Sequence, residues 1–220
     1  MHGDSNTSML GKKAMALEIY SSTVSATQEQ LDNLVLDLLP QQGQWSEDEY
    51  LWLTDHTNRF VEFTDGYIEV LPMPTDEHQT ILASLYQVFF AFIQVIGGKV
   101  LFAPLRIRIR ERKFREPDIL LVRDASDPRR QNRFWLGADL VVEIVSPDKP
   151  ERDLIEKRLE YAEAQILEYW IVDPRDETIT VLRLESGTYV EHGVFRRGTL
   201  ATSVLLEGLT VDVTAVFDAV

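Results

Sequence analysis

One long helical pattern constrains the fold more than any other feature of the sequence. Between Asp76 and Ile96, apolar residues recur at helical spacing, and the pattern ends at Gly97-Gly98, a common helix stop. An apolar stripe of this length has to be buried against another layer, so we expect this helix to be the main packing helix of the domain. The longest apolar run within it, about Leu82 to Ile96, is interrupted by Ser84, Gln87 and Gln94, so we interpret it as too short and too polar for a membrane span.

Strand patterns supply the layer that this helix would cover. Ile119–Val122 and Leu140–Val145 are continuous aliphatic runs, which are typical of central strands buried on both faces. Residues 100–109 alternate between apolar and basic side chains, which predicts a single half-buried strand. The pair Asp65-Gly66 between two apolar segments predicts a hairpin over residues 60–71.

The remaining patterns complete an α/β (α+β) fold. Helices are predicted over residues 31–39, from the N-cap Ser46 onward, and over residues 152–164. Short strands are predicted at the C-terminal end, over Tyr169–Val172, Ile179–Leu184, Tyr189–Val194, Ser203–Leu206 and Leu209–Val213. The sum is a mixed sheet flanked by helices, with extra C-terminal strands.

Composition bounds the organisation and the compartment. The 220 residues suggest one domain over 27–220, preceded by a partly disordered arm over 1–26 that is rich in serine and threonine. With no cysteine the chain has no disulfide, thiolate zinc site or cysteine nucleophile. The first residues show no export signal, so we expect a cytoplasmic protein with no membrane partner.

The acidic charge is unevenly distributed. The formal net charge is −14, which argues against a protein that coats nucleic acid nonspecifically, because phosphate contacts come from lysine and arginine. Residues 104–158, however, hold 14 of the 22 basic residues and 11 of the 36 acidic ones. A polyanion would therefore be tolerated only along this middle segment.

Two acidic residues stand in segments that are otherwise apolar. Asp118 opens the run Ile119–Val122, and Glu143 interrupts the run Leu140–Val145. A buried carboxylate carries a large desolvation cost unless a cation or hydrogen bonds offset it. Two carboxylates on neighbouring strands, together with a backbone carbonyl, would suit Mg²⁺ or Mn²⁺. Alternatively, Asp118 caps a turn and Glu143 pairs with an arginine such as Arg115.

Lys157 follows on the next predicted helix. Asp153, Lys157 and Tyr161 are spaced four residues apart, so one helical face carries all three. An ordinary ion pair on a solvated helix would explain Asp153, whereas Lys157 could also act at the carboxylate site. The sequence leaves both roles of Lys157 open.

The order of these motifs resembles the Uma-two-type putative restriction endonuclease family, a branch of the PD-(D/E)XK nuclease superfamily. The resemblance runs from about Trp45 to about Leu184. It rests on Trp45 to Glu49, Glu62 to Gly66, Pro72 to His78, Glu116-Pro117-Asp118, Val142 to Pro147, Asp153, Lys157, Tyr161-Ala162 and Glu168 to Pro174. It implies a restriction-endonuclease-like fold with a divalent-metal nuclease site at one edge of the sheet.

The resemblance also assigns roles to individual residues. It places the two metal-binding acids at Asp118 and Glu143, and an early acid that completes the metal shell or orients a water at Glu62. Val145 stands where the superfamily has its lysine, and Lys157 is the residue that matches a lysine moved to the following helix. The family's histidine falls on His78, where a phosphate contact and a purely local hydrogen bond are both plausible.

These roles define the functional expectation. We expect an Mg²⁺- or Mn²⁺-dependent endonuclease that hydrolyses phosphodiester bonds of DNA and acts as a homodimer, because cutting both strands favours two-fold symmetry. Arg106, Arg108 and Arg110 share one strand face and could follow the phosphate backbone, or they could protect a sheet edge from aggregation. The alternative function is a catalytically silent module that kept the nuclease fold for binding or scaffolding.

Overall fold

The computed structural model describes residues 39–219. The predicted N-terminal arm and the helix pattern of residues 31–38 therefore lie outside the described residues. The helices are α1 (Glu47–Asp55), α2 (Asp76–Ile96), α3 (Lys157–Glu163) and α4 (Val213–Phe217), and a π-helical turn (Arg152–Glu156) leads directly into α3. The strands are β1 (Val61–Thr64), β2 (Tyr67–Val70), β3 (Lys99–Phe102), β4 (Ile107–Arg110), β5 (Lys113–Arg115), β6 (Ile119–Val122), β7 (Leu140–Ile144), β8 (Glu168–Asp173), β9 (Thr178–Glu185), β10 (Thr188–Arg196), β11 (Leu200–Thr202) and β12 (Thr210–Asp212).

The described strands form three sheets. The large sheet has six strands in the order β10-β9-β8-β7-β6-β3, and the small sheet has four in the order β2-β1-β5-β4. Strands β11 and β12 form a separate pair. In the large sheet β7 and β8 are parallel, whereas the other neighbouring pairs are antiparallel. The predicted mixed sheet flanked by helices is confirmed.

Alternate side chains of the central strands point to opposite faces of the large sheet and so belong to two separate cores. Ile119 and Leu121 of β6 face α2 and the C-terminal segment, whereas Leu120 and Val122 face α3 and β4. Glu143 lies between Val142 and Ile144, which belong to the α2 side, so its side chain is directed toward the α3 side. The strand period therefore aims this carboxylate at the helix that carries Lys157.

Local sequence signals account for the elements around the site. Ser46 and Glu49 form a capping box that starts α1. Asp65 and Gly66 both have positive φ, 49° and 96°, as the tight turn of the β1–β2 hairpin requires. Helix α2 has the bounds predicted from its pattern and ends at Gly97, whose φ is 80°.

Two strand predictions were wrong. The alternating residues 100–109 form two strands in different sheets, because Pro104 has no N–H group with which to continue the ladder of β3. The segment Ser203–Leu206 is a turn, since the N–H groups of Val204 and Leu205 donate to the buried carboxylate of Glu168, at 2.7 and 2.8 Å.

Helix α2 also differs from its sequence interpretation in one respect. Over its full 21 residues the helix is long and apolar enough, by length and composition, to cross a membrane, although the apolar run of residues 82–96 within it is shorter. Its position is that of a core helix. Five of its residues are buried in the core on its side of the large sheet: Ile81, Leu82, Leu85, Phe89 and Ile93.

Candidate active site

The structure brings Asp118 and Glu143 together on neighbouring antiparallel strands. Ile119 pairs with Val142, so the next position of the ladder sets Asp118 beside Glu143. The backbone N–H of Ile144 donates to Asp118 Oδ2 at 2.7 Å, which fixes the Asp118 side chain against β7. Both carboxylates line one cavity of about 740 Å³. Lys157 and His78 also line this cavity.

Lys157 forms a buried ion cluster with two acids. Its Nζ lies 2.8 Å from Glu143 Oε2 and 3.0 Å from Asp153 Oδ1. Asp153 and Lys157 are only 4% and 5% exposed, so the interpretation of Asp153 as part of a solvated surface pair was wrong. The alternative that Glu143 pairs with Arg115 was also wrong, because the cation at Glu143 is Lys157.

Helix α3 and the π-helical turn hold this cluster in place. The Tyr161 hydroxyl donates to Glu143 Oε1, and the Tyr169 hydroxyl donates to the Asp153 carbonyl at 2.8 Å. Both tyrosines are fully buried, and their rings meet edge to face with centroids 5.1 Å apart. Tyr161 was predicted to share a helical face with Lys157, but its bond to Glu143 could not be read from the sequence.

Electrostatics keep the lysine charged. Burial lowers the pKa of Lys157, but the neighbouring Glu143 and Asp153 carboxylates outweigh burial and raise that pKa above its ordinary value. Burial raises the pKa of Glu143, and the charges of Asp118 and Asp153 add to the rise against the opposing effect of Lys157. The Glu143 and Asp153 carboxylates thus share one ammonium group, and the nearby Asp118 carboxylate is paired with His78.

His78 contacts Asp118 from the first turn of α2. Thr75 caps the helix by accepting a bond from the His78 backbone N–H, and His78 Nε2 lies 3.2 Å from Asp118 Oδ2. Burial lowers the pKa of His78, but its bond with Asp118 outweighs burial, so the net shift is upward. The structure therefore places His78 on the carboxylate that the sequence assigns to the metal.

Glu62 belongs to an adjacent buried cluster. Its carboxylate is ion-paired with Arg152 and, at 3.3 Å, with Arg115. Burial raises the pKa of Glu62, but Lys157, Arg115 and Arg152 together bring it below the ordinary value. Glu62 is thus near the Lys157 cluster but does not line the cavity.

Glu116 is a site residue that the sequence reasoning missed. It is 6% exposed, it lines the cavity, and its Oε2 atom has no hydrogen-bond partner. Burial and the charge of Glu62 raise the pKa of Glu116 to about 8. The available signal was its place beside Pro117 in the same tripeptide as Asp118, but nothing in the sequence shows that its side chain is buried.

The three predicted phosphate-contacting arginines lie elsewhere. Each one pairs with a carboxylate: Arg106 with Asp55, Arg108 with Glu47, and Arg110 with Asp65. None of the three lines the cavity. The structure therefore does not bring them together with Asp118 and Glu143.

The donor set suits a hard divalent cation held by few protein ligands. Within residues 39–219, no group of three or more histidine and acidic side chains is arranged to hold a metal ion. Mg²⁺ is commonly bound by only one or two carboxylates, with water and substrate phosphate completing its shell. Asp118 and Glu143, together with the backbone of Ile144 at the same cavity, fit that pattern.

Comparisons with known proteins identify the family and the fold of the chain. The family model described as Uma2, putative restriction endonuclease, matches residues 47–214. The solved structure of a putative nuclease belonging to DUF820, from Anabaena variabilis ATCC 29413, superposes with a TM-score of 0.66 at 22% sequence identity. The match covers 82% of this chain and 99% of that chain, and at this identity it shows a shared fold. No curated protein matches the chain.

Proposed function

Because the chain belongs to the Uma2 putative restriction endonuclease family, we propose that it is a divalent-metal-dependent endonuclease that hydrolyses phosphodiester bonds of DNA. Membership of this family supports a nuclease function in general. The observation that carries the finer proposal is the meeting of Asp118, Glu143 and Lys157 at one cavity. Carboxylates that can hold a metal ion, with a lysine beside them, can support metal-assisted phosphodiester cleavage.

The two carboxylates have the role of holding Mg²⁺ or Mn²⁺. Such an ion, when bound, supplies an acidified water and neutralises charge on the phosphate. Asp118 is suited to hold it because the N–H of Ile144 and the His78 ring fix the orientation of its carboxylate. The Tyr161 hydroxyl does the same for Glu143. Fixed carboxylates bind a cation without first losing side-chain freedom.

Lys157 has the role of the cationic partner at the reacting phosphate. Its ammonium group remains protonated beside Glu143 and Asp153, so it can donate hydrogen bonds to an attacking water or to a phosphate oxygen. Asp153 acts as a positioning residue, because its carboxylate holds the lysine four residues along the helix. Val145 stands where the superfamily has its lysine. This arrangement allows Lys157 to supply the missing ammonium group from helix α3.

Substitution of the three residues tests the proposal. We expect purified protein to nick plasmid DNA with Mg²⁺ or Mn²⁺ but not with EDTA. Asp118→Asn, Glu143→Gln and Lys157→Gln should each lower the rate about 100-fold or more, the usual effect of removing a group that stabilises the transition state. Glu207→Gln, at an exposed acid, is the matched control and should keep the parent rate.

Folding of each variant is checked by near-UV circular dichroism and thermal unfolding, because Lys157→Gln leaves two buried acids without their cation. If the parent cleaves DNA and all three variants retain its rate, these residues are not the active site and the assignment is rejected.

A catalytically silent module is the second candidate, and the ion cluster itself favours it. Lys157 already satisfies Glu143 and Asp153, so the fold needs no metal to offset their charge. Isothermal calorimetry with millimolar Mn²⁺ separates the two functions. The nuclease proposal predicts binding heat that Glu143→Gln abolishes, whereas the silent module predicts no heat from the parent.

A further inference from the structure

The cavity beside the candidate active site has an apolar wall as well as a charged one. Asp118, Glu143 and Lys157 line the charged side. The apolar side is formed by Phe60, Leu71, Met73, Pro74, Leu82 and Phe102. Catalysis at a phosphate does not require such a wall, so its presence points to a part of the substrate that is itself apolar and flat.

Phe102 joins this wall directly to the site. It ends the edge strand β3, where it pairs with Ile119, and the N–H of the following Ala103 donates to the Asp118 carbonyl at 3.1 Å. The Phe102 side chain is 45% exposed although it is aromatic. Tyr86 packs against the Phe102 ring at 80°, with the ring centroids 4.9 Å apart, and so restricts the orientation of that ring. The exposed Phe102 ring, held by Tyr86, thus belongs to the residue just before Ala103, whose N–H donates to the Asp118 carbonyl.

Met73 extends the same wall. It is 62% exposed and lies in the segment that leads into α2, ahead of the cap at Thr75. A methionine side chain is flexible and polarisable, and it packs well against aromatic rings of different shapes. Phe102 and Met73 together offer one ordered ring and one adaptable contact on the same cavity.

The charged groups of the cavity disfavour nucleic acid with a high density of phosphate charges. Seven acidic and four basic residues line it. Each of the four basic side chains already has a carboxylate partner: Lys149 with Glu69, Arg152 with Glu62, Lys157 with Glu143, and Arg175 with Asp173. Duplex DNA carries one charge per about 1.7 Å of its axis, about twice the density of one of its strands. Electrostatic repulsion at this cavity is therefore smaller for a single strand.

We propose that Phe102 and Met73 form a base-stacking surface that makes unpaired DNA the preferred substrate. The inference rests on the proposed nuclease function and names its substrate class. Bases in a single strand expose their faces and stack on aromatic side chains, whereas bases in a duplex are already stacked on one another. Phe102 and Asp118 line the same cavity, so a base on Phe102 and the phosphate at Asp118 would share one space.

Fluorescence anisotropy tests this surface apart from cleavage. A labelled single strand and a duplex of the same sequence are titrated with the full-length protein in Ca²⁺, which replaces Mg²⁺ to limit hydrolysis. We expect the single strand to bind at least about 10-fold more tightly than the duplex. Phe102→Ala should weaken single-strand binding about 10-fold, the order expected for loss of one stacked base. Met73→Ala should weaken it less.

Two variants make the test specific. Phe102→Trp keeps a stacking ring and should bind the single strand at least as tightly as the parent, which also guards against misfolding of the alanine variant. Phe90→Ala is the matched control, because Phe90 is 38% exposed and also contacts Tyr86 but does not line the cavity. It should not change binding.

The outcomes separate this inference from the proposed function. If the duplex binds as tightly as the single strand, if Phe102→Ala has no effect, or if neither DNA binds, the stacking surface is rejected. Single-strand binding that depends on Phe102 but is followed by no cleavage with Mg²⁺ or Mn²⁺ supports the surface and rejects the nuclease. Duplex cleavage that needs Asp118 but not Phe102 rejects only the surface.

Discussion

Glu116 shows how a single residue can couple the site to stability. Its carboxyl group is buried beside Glu62, which raises its pKa from an ordinary 4.5 to about 8. As the pH rises from about 4.5 to about 8, the unfolded chain releases this proton while the folded chain retains it. The free energy of unfolding therefore falls across this window, and the loss of stability reaches its full size only above pH 8.

Glu116→Gln should remove this pH-dependent cost. The amide mimics the neutral carboxyl group, so we expect the Tm of the variant to exceed that of the parent at pH 8.5 by at least about 2–4 °C. A pKa raised from 4.5 to about 8 corresponds to at most about 5 kcal/mol, and each 1 kcal/mol shifts the Tm by about 2–4 °C in a chain of this size. At pH 4, below the ordinary pKa of 4.5, the two Tm values should be nearly equal. Thermal unfolding at both pH values measures the difference, with the exposed Glu207→Gln as control. An equal gain at both pH values would show that ionisation of Glu116 does not destabilise the fold.

Sequence analysis could identify residues whose chemistry is unusual for the segment in which they lie. Asp118 and Glu143 stand out because acids are expensive in aliphatic strands, and the structure sets them side by side. Asp153 and Tyr161 do not stand out, because their helical spacing fits a solvated helix equally well. Only the packing of α3 against β7 reveals that this face is buried, and that contact joins segments with no shared sequence pattern.

At the scale of elements, Arg115 connects the small sheet to helix α3. Its guanidinium group makes two bonds to the Glu160 carboxylate, at 2.5 and 2.6 Å, and approaches Glu62 at 3.3 Å. It also donates to the Thr64 hydroxyl at 2.9 Å and is only 8% exposed. Strand β5, strand β1 and helix α3 thus share one buried cation.

Arg115→Met should destabilise the fold by up to about 3–5 kcal/mol, because the Glu62 and Glu160 carboxylates lose a buried cation. Glu62 keeps Arg152 and Glu160 keeps Lys113, which limits the loss. Chemical denaturation measures the free energy of unfolding. The control Arg183→Met removes a pair with Glu185 whose side chains are 45% and 47% exposed, and it should cost less than about 1 kcal/mol. The double variant Arg115→Met with Glu160→Gln should recover part of the loss. Equal effects of Arg115→Met and Arg183→Met would refute the buried connection.

Helices and strands were predictable where residues within the element determine its structure. They were not predictable where contacts with a distant segment determine it. The capping box of α1, the Asp65-Gly66 hairpin and the full span of α2 follow from residues within each element. The division of residues 100–109 between two sheets depends on where the chain can pair after Pro104, which alternation alone does not show. The turn at Ser203–Leu206 depends on Glu168, some 35 residues earlier in the chain.

At the scale of the whole molecule, the distribution of charge limits how the protein could bind nucleic acid. The net charge is −14, and the predicted phosphate-tracking arginines, Arg106, Arg108 and Arg110, are ion-paired within the fold. The sequence shows a basic middle segment, but it could not show that acidic residues far along the chain pair with these arginines. Under the proposed function, nucleic acid would bind through few phosphate contacts, and a divalent cation and base contacts would supply the rest of the affinity. The homodimer stays a prediction, and a single-strand substrate would not require one.

This view predicts a weak dependence of DNA binding on monovalent salt. With at most about two phosphates neutralised by lysine or arginine, single-strand affinity should fall less than about 10-fold between 50 and 200 mM KCl, whereas proteins with many phosphate contacts lose about 10³–10⁵. Anisotropy titrations in constant Ca²⁺ measure the slope, and the same titrations in EDTA should show much weaker binding. A steep slope that Arg108→Gln reduces would instead mean that the arginines leave their carboxylate partners and follow the backbone. Because counterion release responds to contacts anywhere on the surface, the slope tests the charge distribution of the entire protein and not one site.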